Sequence, residues 1–191
     1  CNKPTGERRQ YPHVINREAV RGNEFKSVDS KQTAYLPFTR SSIGPTDFTP
    51  AIIPYLSDTV TVAHNMGLAV TLESGMPTFS DMPDHFTSGE YLDFYRNLPV
   101  VWDETKLVTA DLGDYVVIAR RSGNKWYVGC TASYAGTIDV DLSFLGDGNF
   151  TARIWQDSEY NKVSQSSQSV TSASKLSLTV QKGGGFTMII E

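Results

Sequence analysis

The sequence predicts a short α/β segment followed by an antiparallel β-sandwich. Up to about residue 99, short apolar runs that close on an acidic residue alternate with stretches of helical periodicity. That is the strand, helix, strand, helix order of a layered α/β architecture. Past Pro99 the texture changes to β-rich runs separated by Gly, Ser and Asn turns about every 8–12 residues, as in a sandwich. The boundary is therefore placed near residue 100, dividing the chain into 1–99 and 100–191.

Taken in order, residues 1–10 (CNKPTGERRQ) are charged and turn-rich, with Pro4 and Gly6 favouring a loop. After the Gly44–Pro45 break, residues 45–49 read as a short strand with Asp47 near its end. From 59 to 73, Val60, Val62, Ala63, Met66, Leu68, Ala69, Val70 and Leu72 surround the axis of a buried helix. Asp58 is its expected N-cap, and His64, inside it, reads as a packing histidine. Gly75 and Pro77 punctuate, PTFSDMP reads as a second strand ending at Asp81, and Tyr91, Leu92, Phe94 and Tyr95 mark a helix over about 88–97.

In the second part, GDYVVIARR and KWYVGCTAS flank Ser122, Gly123 and Asn124, a hairpin signal. TIDVDLSFL alternates cleanly, and NFTARIWQ, KLSLTVQ and GFTMIIE supply further strands. The Ser-rich stretch 164–174 reads as a long surface connection, and Arg120–Arg121 as a solvated edge that discourages aggregation. Trp102, Trp126 and Trp155 read as sandwich core or interdomain filler, and Cys130 as a buried small hydrophobe.

Composition excludes several functions. The 191 residues are 39% hydrophobic and 20% charged, an ordinary globular balance. With net charge −4 and scattered Lys and Arg, there is no basic stripe for nucleic acid. No apolar run approaches the roughly 20 residues of a membrane span. Cys1 and Cys130 lack CxxC spacing, which argues against a disulfide framework or a zinc site. The chain opens on Cys1, without initiator Met or signal pattern, and reads as a piece of something longer.

The stretch Tyr11–Phe25, YPHVINREAVRGNEF, concentrates chemistry. Glu18 and Glu24 stand six positions apart (24 − 18), among His13, Arg17 and Arg21, with Gly22 just ahead of the second glutamate. Carboxylates gathered at one rim can bind a hard cation or share acid and base duties on a glycosidic bond. The spacing alone does not choose between these and a solvated loop. His13 reads equally as a contact to sugar hydroxyls or a structural donor. Asp47 and Asp81 read as rim or capping groups, with capping preferred for Asp81.

The runs CNKPTGERRQYPHVINREAVRGNEF, YLPFTR, IGPTDFTP, TVAHNMGLAVTLESGMPTFSDMP, LPVVWDET and GDYVVIARR resemble glycoside hydrolase family 97, in order, across almost the whole chain. The resemblance implies the C-terminal portion of a (β/α)8 TIM barrel over 1–99 and a C-terminal β-domain over 100–191. It implies that Glu24 in RGNEF is the general acid, that Glu18 and Glu24 contribute to a calcium site, and that an oligosaccharide is the substrate. The family has a retaining α-galactosidase branch and an inverting α-glucosidase branch, and the residues that separate them precede Cys1. The NKPTG wording leans to the retaining branch. The expected function is thus the C-terminal fragment of an exo-acting α-galactosidase, inactive without the missing N-terminal part of the enzyme. The alternatives are an inverting α-glucosidase and a non-catalytic carbohydrate-binding or structural module. Further expectations are a periplasmic or secreted location and possible self-association of the fragment.

Overall fold

The structure, a computed structural model, describes residues 6, 10–25, 29–51, 60–159 and 162–191. Among the described residues, the first part holds α1 (Ser30–Tyr35), α2 (Val62–Thr71) and α3 (Leu92–Asn97). Eight strands follow among the described residues: β1 (Glu104–Asp111), β2 (Tyr115–Ser122), β3 (Lys125–Ala132), β4 (Gly136–Asp141), β5 (Phe150–Asp157), β6 (Val163–Val170), β7 (Lys175–Val180) and β8 (Gly185–Ile190). Six form one sheet in the order β1-β2-β3-β8-β5-β6, and β4 pairs with β7, every pairing antiparallel.

The period of two decides which face each side chain serves. On β3, Trp126, Val128 and Cys130 point into the sandwich, with Phe186, Met188 and Ile190 of β8 and Ala152 and Ile154 of β5. The β4–β7 pair closes over them with Ile138, Val140, Leu178 and Val180. On the opposite face Tyr127, Trp155 and Ile189 meet Val62, Ala63, Met66 and Val70 of α2 and Phe94 of α3. The central strands are therefore buried on both sides, which is why β3 and β8 read as nearly continuous apolar runs. Trp126 and Trp155 are buried and Trp102 is half-buried against Tyr127, as core residues; free Cys130 is buried too.

Helix α2 can lie this close because glycines meet there. A Cβ on Gly129 would stand 2.6 Å from Val70 Cβ and 2.8 Å from the Gly67 carbonyl, and one on Gly67 would strike the Cys130 carbonyl. The N-cap of α2 is Thr61, whose hydroxyl accepts from His64 N at 3.1 Å; Asp58, the expected cap, lies outside the described residues. His64 is fully buried, as the sequence implied. Its Nδ1–H donates to the Gly184 carbonyl at 3.0 Å, leaving Nε2 to accept from the Thr33 hydroxyl at 2.9 Å. One imidazole thus joins α1, α2 and the β7–β8 turn.

Five expectations are corrected. Residues 45–49 and 77–81 form no strand; Thr46 makes a single parallel bridge to Arg17. Prolines 45, 50 and 77 remove the donors a ladder would need. The second helix is shorter than 88–97 because Gly89 sits at φ 129, outside helical space. The Ser-rich stretch is no loop: β6 pairs with β5 from Asp157↔Val163 to Phe150↔Val170, and its polar alternation reflects an edge strand exposed on both faces. Arg120 is no solvated edge either. It is buried on a strand covered by β1, and donates to the Val70 carbonyl (2.6 Å), the Thr71 carbonyl (3.4 Å) and Thr105 Oγ1 (2.9 Å), with Glu73 at 3.6 Å. A guanidinium at the C-terminus of α2 satisfies carbonyls that end a helix without partners. Arg121, half-exposed beside Asp103 and Glu104, fits the solvated reading.

Two consequences are measurable in denaturant. Replacing Arg120 by Ala strips the end of α2 of its donors and should destabilise the chain by about 2–4 kcal/mol, against under about 1 kcal/mol for Arg121→Ala. Burial also pushes the His64 pKa down to about 4, so the folded state prefers the neutral ring. The unfolded chain then binds more protons between about pH 4 and 6.5, and this contribution, about 3 kcal/mol in full, is lost as pH falls through that window. Burial raises the pKa of Asp157 and gives the opposite slope, so the His64 part is isolated as the difference in pH dependence between the native chain and His64→Gln.

Candidate functional site

The glutamate segment is docked at two places on residues 44–49. At the first, Arg17 N–H donates to the Pro45 carbonyl at 3.4 Å and the Arg17 carbonyl accepts from Asp47 N at 3.1 Å. Arg40, buried, spans both chains: its guanidinium donates to the carbonyls of Glu18 (3.1 Å), Arg17 (2.5 Å), Gly44 (2.9 Å) and Pro45 (3.1 Å). Four carbonyls are a weak counterpart for a cation, and burial lowers its pKa. The charge is used to hold backbone. At the second place, Asn23 N donates to the Phe48 carbonyl at 3.2 Å, and the Thr49 hydroxyl donates to Glu24 Oε2.

Residues 73–80 flank the other side. Thr46 N donates to the Glu73 carbonyl (2.8 Å), Thr78 Oγ1 to Asp47 Oδ2 (3.3 Å), and Asn16 Nδ2 to Ser74 Oγ (2.8 Å) and the Met76 carbonyl (3.0 Å). Phe48 and Asp47 back onto a gap of about 20 Å³ shared with Leu68, Trp102 and Pro99. It has room for about one water molecule and none for a sugar.

Glu24 is exposed at a short 3₁₀ turn, Asn23–Phe25, and Glu18 is half-buried, its carbonyl under Arg40. His13 stands exposed in a turn, its ring 5.8 Å from that of Tyr11. Asp81 accepts from Met82 N at 2.7 Å and pairs with His85, a fuller role than capping alone. Both glutamates offer carboxylate oxygen, the donor type calcium takes, but among the described residues no cluster of three His, Cys, Asp or Glu gathers. The pair suits calcium in chemistry and would furnish only part of its six to eight ligands.

Arg40 and Thr49 are functional candidates that reading the sequence missed. Arg40 had a signal, a cation next to the apolar LPF run with no acidic neighbour. Thr49 had none, since its importance lies in a backbone angle.

Comparison with known proteins places this geometry. Residues 101–191 match the family model described as "Glycosyl-hydrolase 97 C-terminal, oligomerisation". A probable retaining alpha-galactosidase of Streptomyces bingchenggensis is 34% identical over 190 residues, 97% of this chain and 30% of that protein. The retaining alpha-galactosidase of Bacteroides thetaiotaomicron is 32% identical over 215 residues, 100% of this chain and 32% of that protein. Among solved structures, a family 97 enzyme of Pseudoalteromonas sp. strain K8, in complex with panose, superposes with TM-score 0.91 at 30% identity. The match covers 99% of this chain and 33% of that one. This chain thus spans about a third of the length of the relatives it matches. Residues 101–191 therefore belong to the C-terminal domain of glycoside hydrolase family 97, and the segment bearing Glu18 and Glu24 lies inside the longer alignments with the retaining alpha-galactosidases.

Proposed function

We propose that the chain is the carboxyl-terminal part of an exo-acting α-glycosidase that removes terminal α-galactose with retention. In this reading residues 1–99 complete a (β/α)8 barrel begun by an N-terminal part outside these residues, and 100–191 form the sandwich that follows. The observation that carries it is the alignment, over 97% and 100% of the chain, with two relatives called retaining alpha-galactosidases. The parallel sense of the Arg17–Thr46 bridge suits neighbouring barrel strands, and the carboxyl ends of such strands are where barrel enzymes collect catalytic groups.

Glu24 then acts as general acid. Its proton passes to the glycosidic oxygen as the bond from anomeric carbon to oxygen breaks, while a carboxylate from outside these residues takes the anomeric carbon. In the second step Glu24, now a base, removes a proton from the attacking water. Calcium, when bound, would supply positive charge beside the carboxylates, with Glu18 and Glu24 as this chain's ligands. In this reading His13 contacts the substrate, an oligosaccharide. Self-association of the sandwich is part of the proposal, supported by the word oligomerisation in the family description, as is a periplasmic or secreted location.

A second reading, an inverting α-glucosidase, has its own support: the Pseudoalteromonas relative was solved with panose, an α-glucoside. A carbohydrate-binding sandwich has less, because its tryptophans are buried or half-buried rather than displayed.

The isolated 191 residues should not turn over a nitrophenyl α-galactoside, and detectable turnover would overturn the reading. In the parent enzyme Glu24→Gln should lower kcat about 10²–10⁴-fold on unactivated α-galactosides. Preference of the parent for α-glucosides, with inversion, would establish the second reading instead.

A further inference from the structure

We propose that Thr49 is a positioning residue for Glu24, holding its carboxyl in the orientation from which a proton reaches the glycosidic oxygen; this rests on the reading of Glu24 as the acid. Three independent features meet at this point. The first is conformational. Thr49 has φ 55, the left-handed region, where a β-branched residue is an outlier. Pro50 follows it and biases it toward extended backbone instead. Local preference argues twice against this geometry, so the surrounding structure imposes it, as strained residues at functional sites commonly are.

The second is what that geometry achieves. It turns the Thr49 hydroxyl onto Glu24 Oε2, with the Phe48 carbonyl oxygen 2.6 Å from Thr49 Oγ1. Glu24 is exposed, and a carboxylate on a flexible stem in solvent would sample several rotamers. The hydroxyl selects one. The backbone beside it is pinned as well, by Asn23 N on the Phe48 carbonyl at 3.2 Å.

The third is Gly22. A Cβ there would collide with Glu24 Oε2, the Phe48 carbonyl and Thr49 Oγ1 at once. The three polar atoms converge over the one residue that leaves them room, two positions ahead of the glutamate. A Thr49 that served only to turn the chain would not need its hydroxyl in that cluster.

The test uses the parent enzyme and two substrates. One is an unactivated alkyl α-galactoside, whose leaving oxygen needs a proton. The other is a dinitrophenyl α-galactoside, whose leaving group needs none. Thr49→Val keeps shape and branching without the hydroxyl, and should lose about 10- to 100-fold in kcat/KM, which reports the step that expels the leaving group, on the first substrate and under about 3-fold on the second. Thr49→Ser restores the hydroxyl and should recover both. Thr49→Gly relieves the left-handed strain, so it should fold at least as well in a thermal melt yet show the same selective loss. Equal losses of Thr49→Val and Thr49→Gly on both substrates, or a Ser variant as impaired as Val, would overturn the role of Thr49 while leaving Glu24 as acid. Full activity of Glu24→Gln on the alkyl substrate would overturn the reading of Glu24 itself.

Discussion

The contact between α2 and the six-stranded sheet, made across Gly67 and Gly129, is the constraint on which the rest of the structure depends. With no side chain at either position, the helix backbone settles onto β3, and Val62, Met66 and Val70 reach Tyr127, Trp155 and Ile189. A single methylene at the crossing would lift the helix from the sheet, and interiors packed to crystal density do not absorb such a shift. The same contact buries the second face of the sheet, which otherwise would stand open beside a closed sandwich.

From this helix a chain of polar contacts runs to the glutamates. Arg120 caps the C-terminal carbonyls of α2, fixing where residues 72–80 begin. The Glu73 carbonyl receives Thr46 N, residues 45–47 receive Arg17, and Arg40 binds both sides of that junction. Glu18 and Glu24 are therefore held by the sandwich through intermediate segments that have little regular structure of their own. Within this chain the sandwich thereby has a mechanical role toward the carboxylates.

Much of the second half was legible in the sequence. The alternation in TIDVDLSFL, the turn at Gly123–Asn124 and the apolar run KWYVGC each follow from the period of two and from burial on one or both faces. Glu18 and Glu24 were singled out because acids, bases and a glycine crowd one segment. Two features misled. VSQSSQSV carries linker composition, but an edge strand needs only backbone partners, and β5 supplies them. Asp47 and Asp81 close runs that look like strands, but proline leaves those runs with too few donors to form a ladder.

By itself the sequence determined the sandwich, a buried helix within 59–73 and the crowding of carboxylates in one segment, because periodicity and local crowding are properties of neighbours along the chain. The tertiary structure alone decided that Arg120 is a buried clamp, that Arg40 ties Glu18 to residues 44–45, and that Thr49 turns against its own preference to meet Glu24. Each joins residues 15 to 50 positions apart, as in Arg120 with Thr105 and Val70 or Glu24 with Thr49. No periodicity spans such distances; only the folded backbone brings those donors to their acceptors.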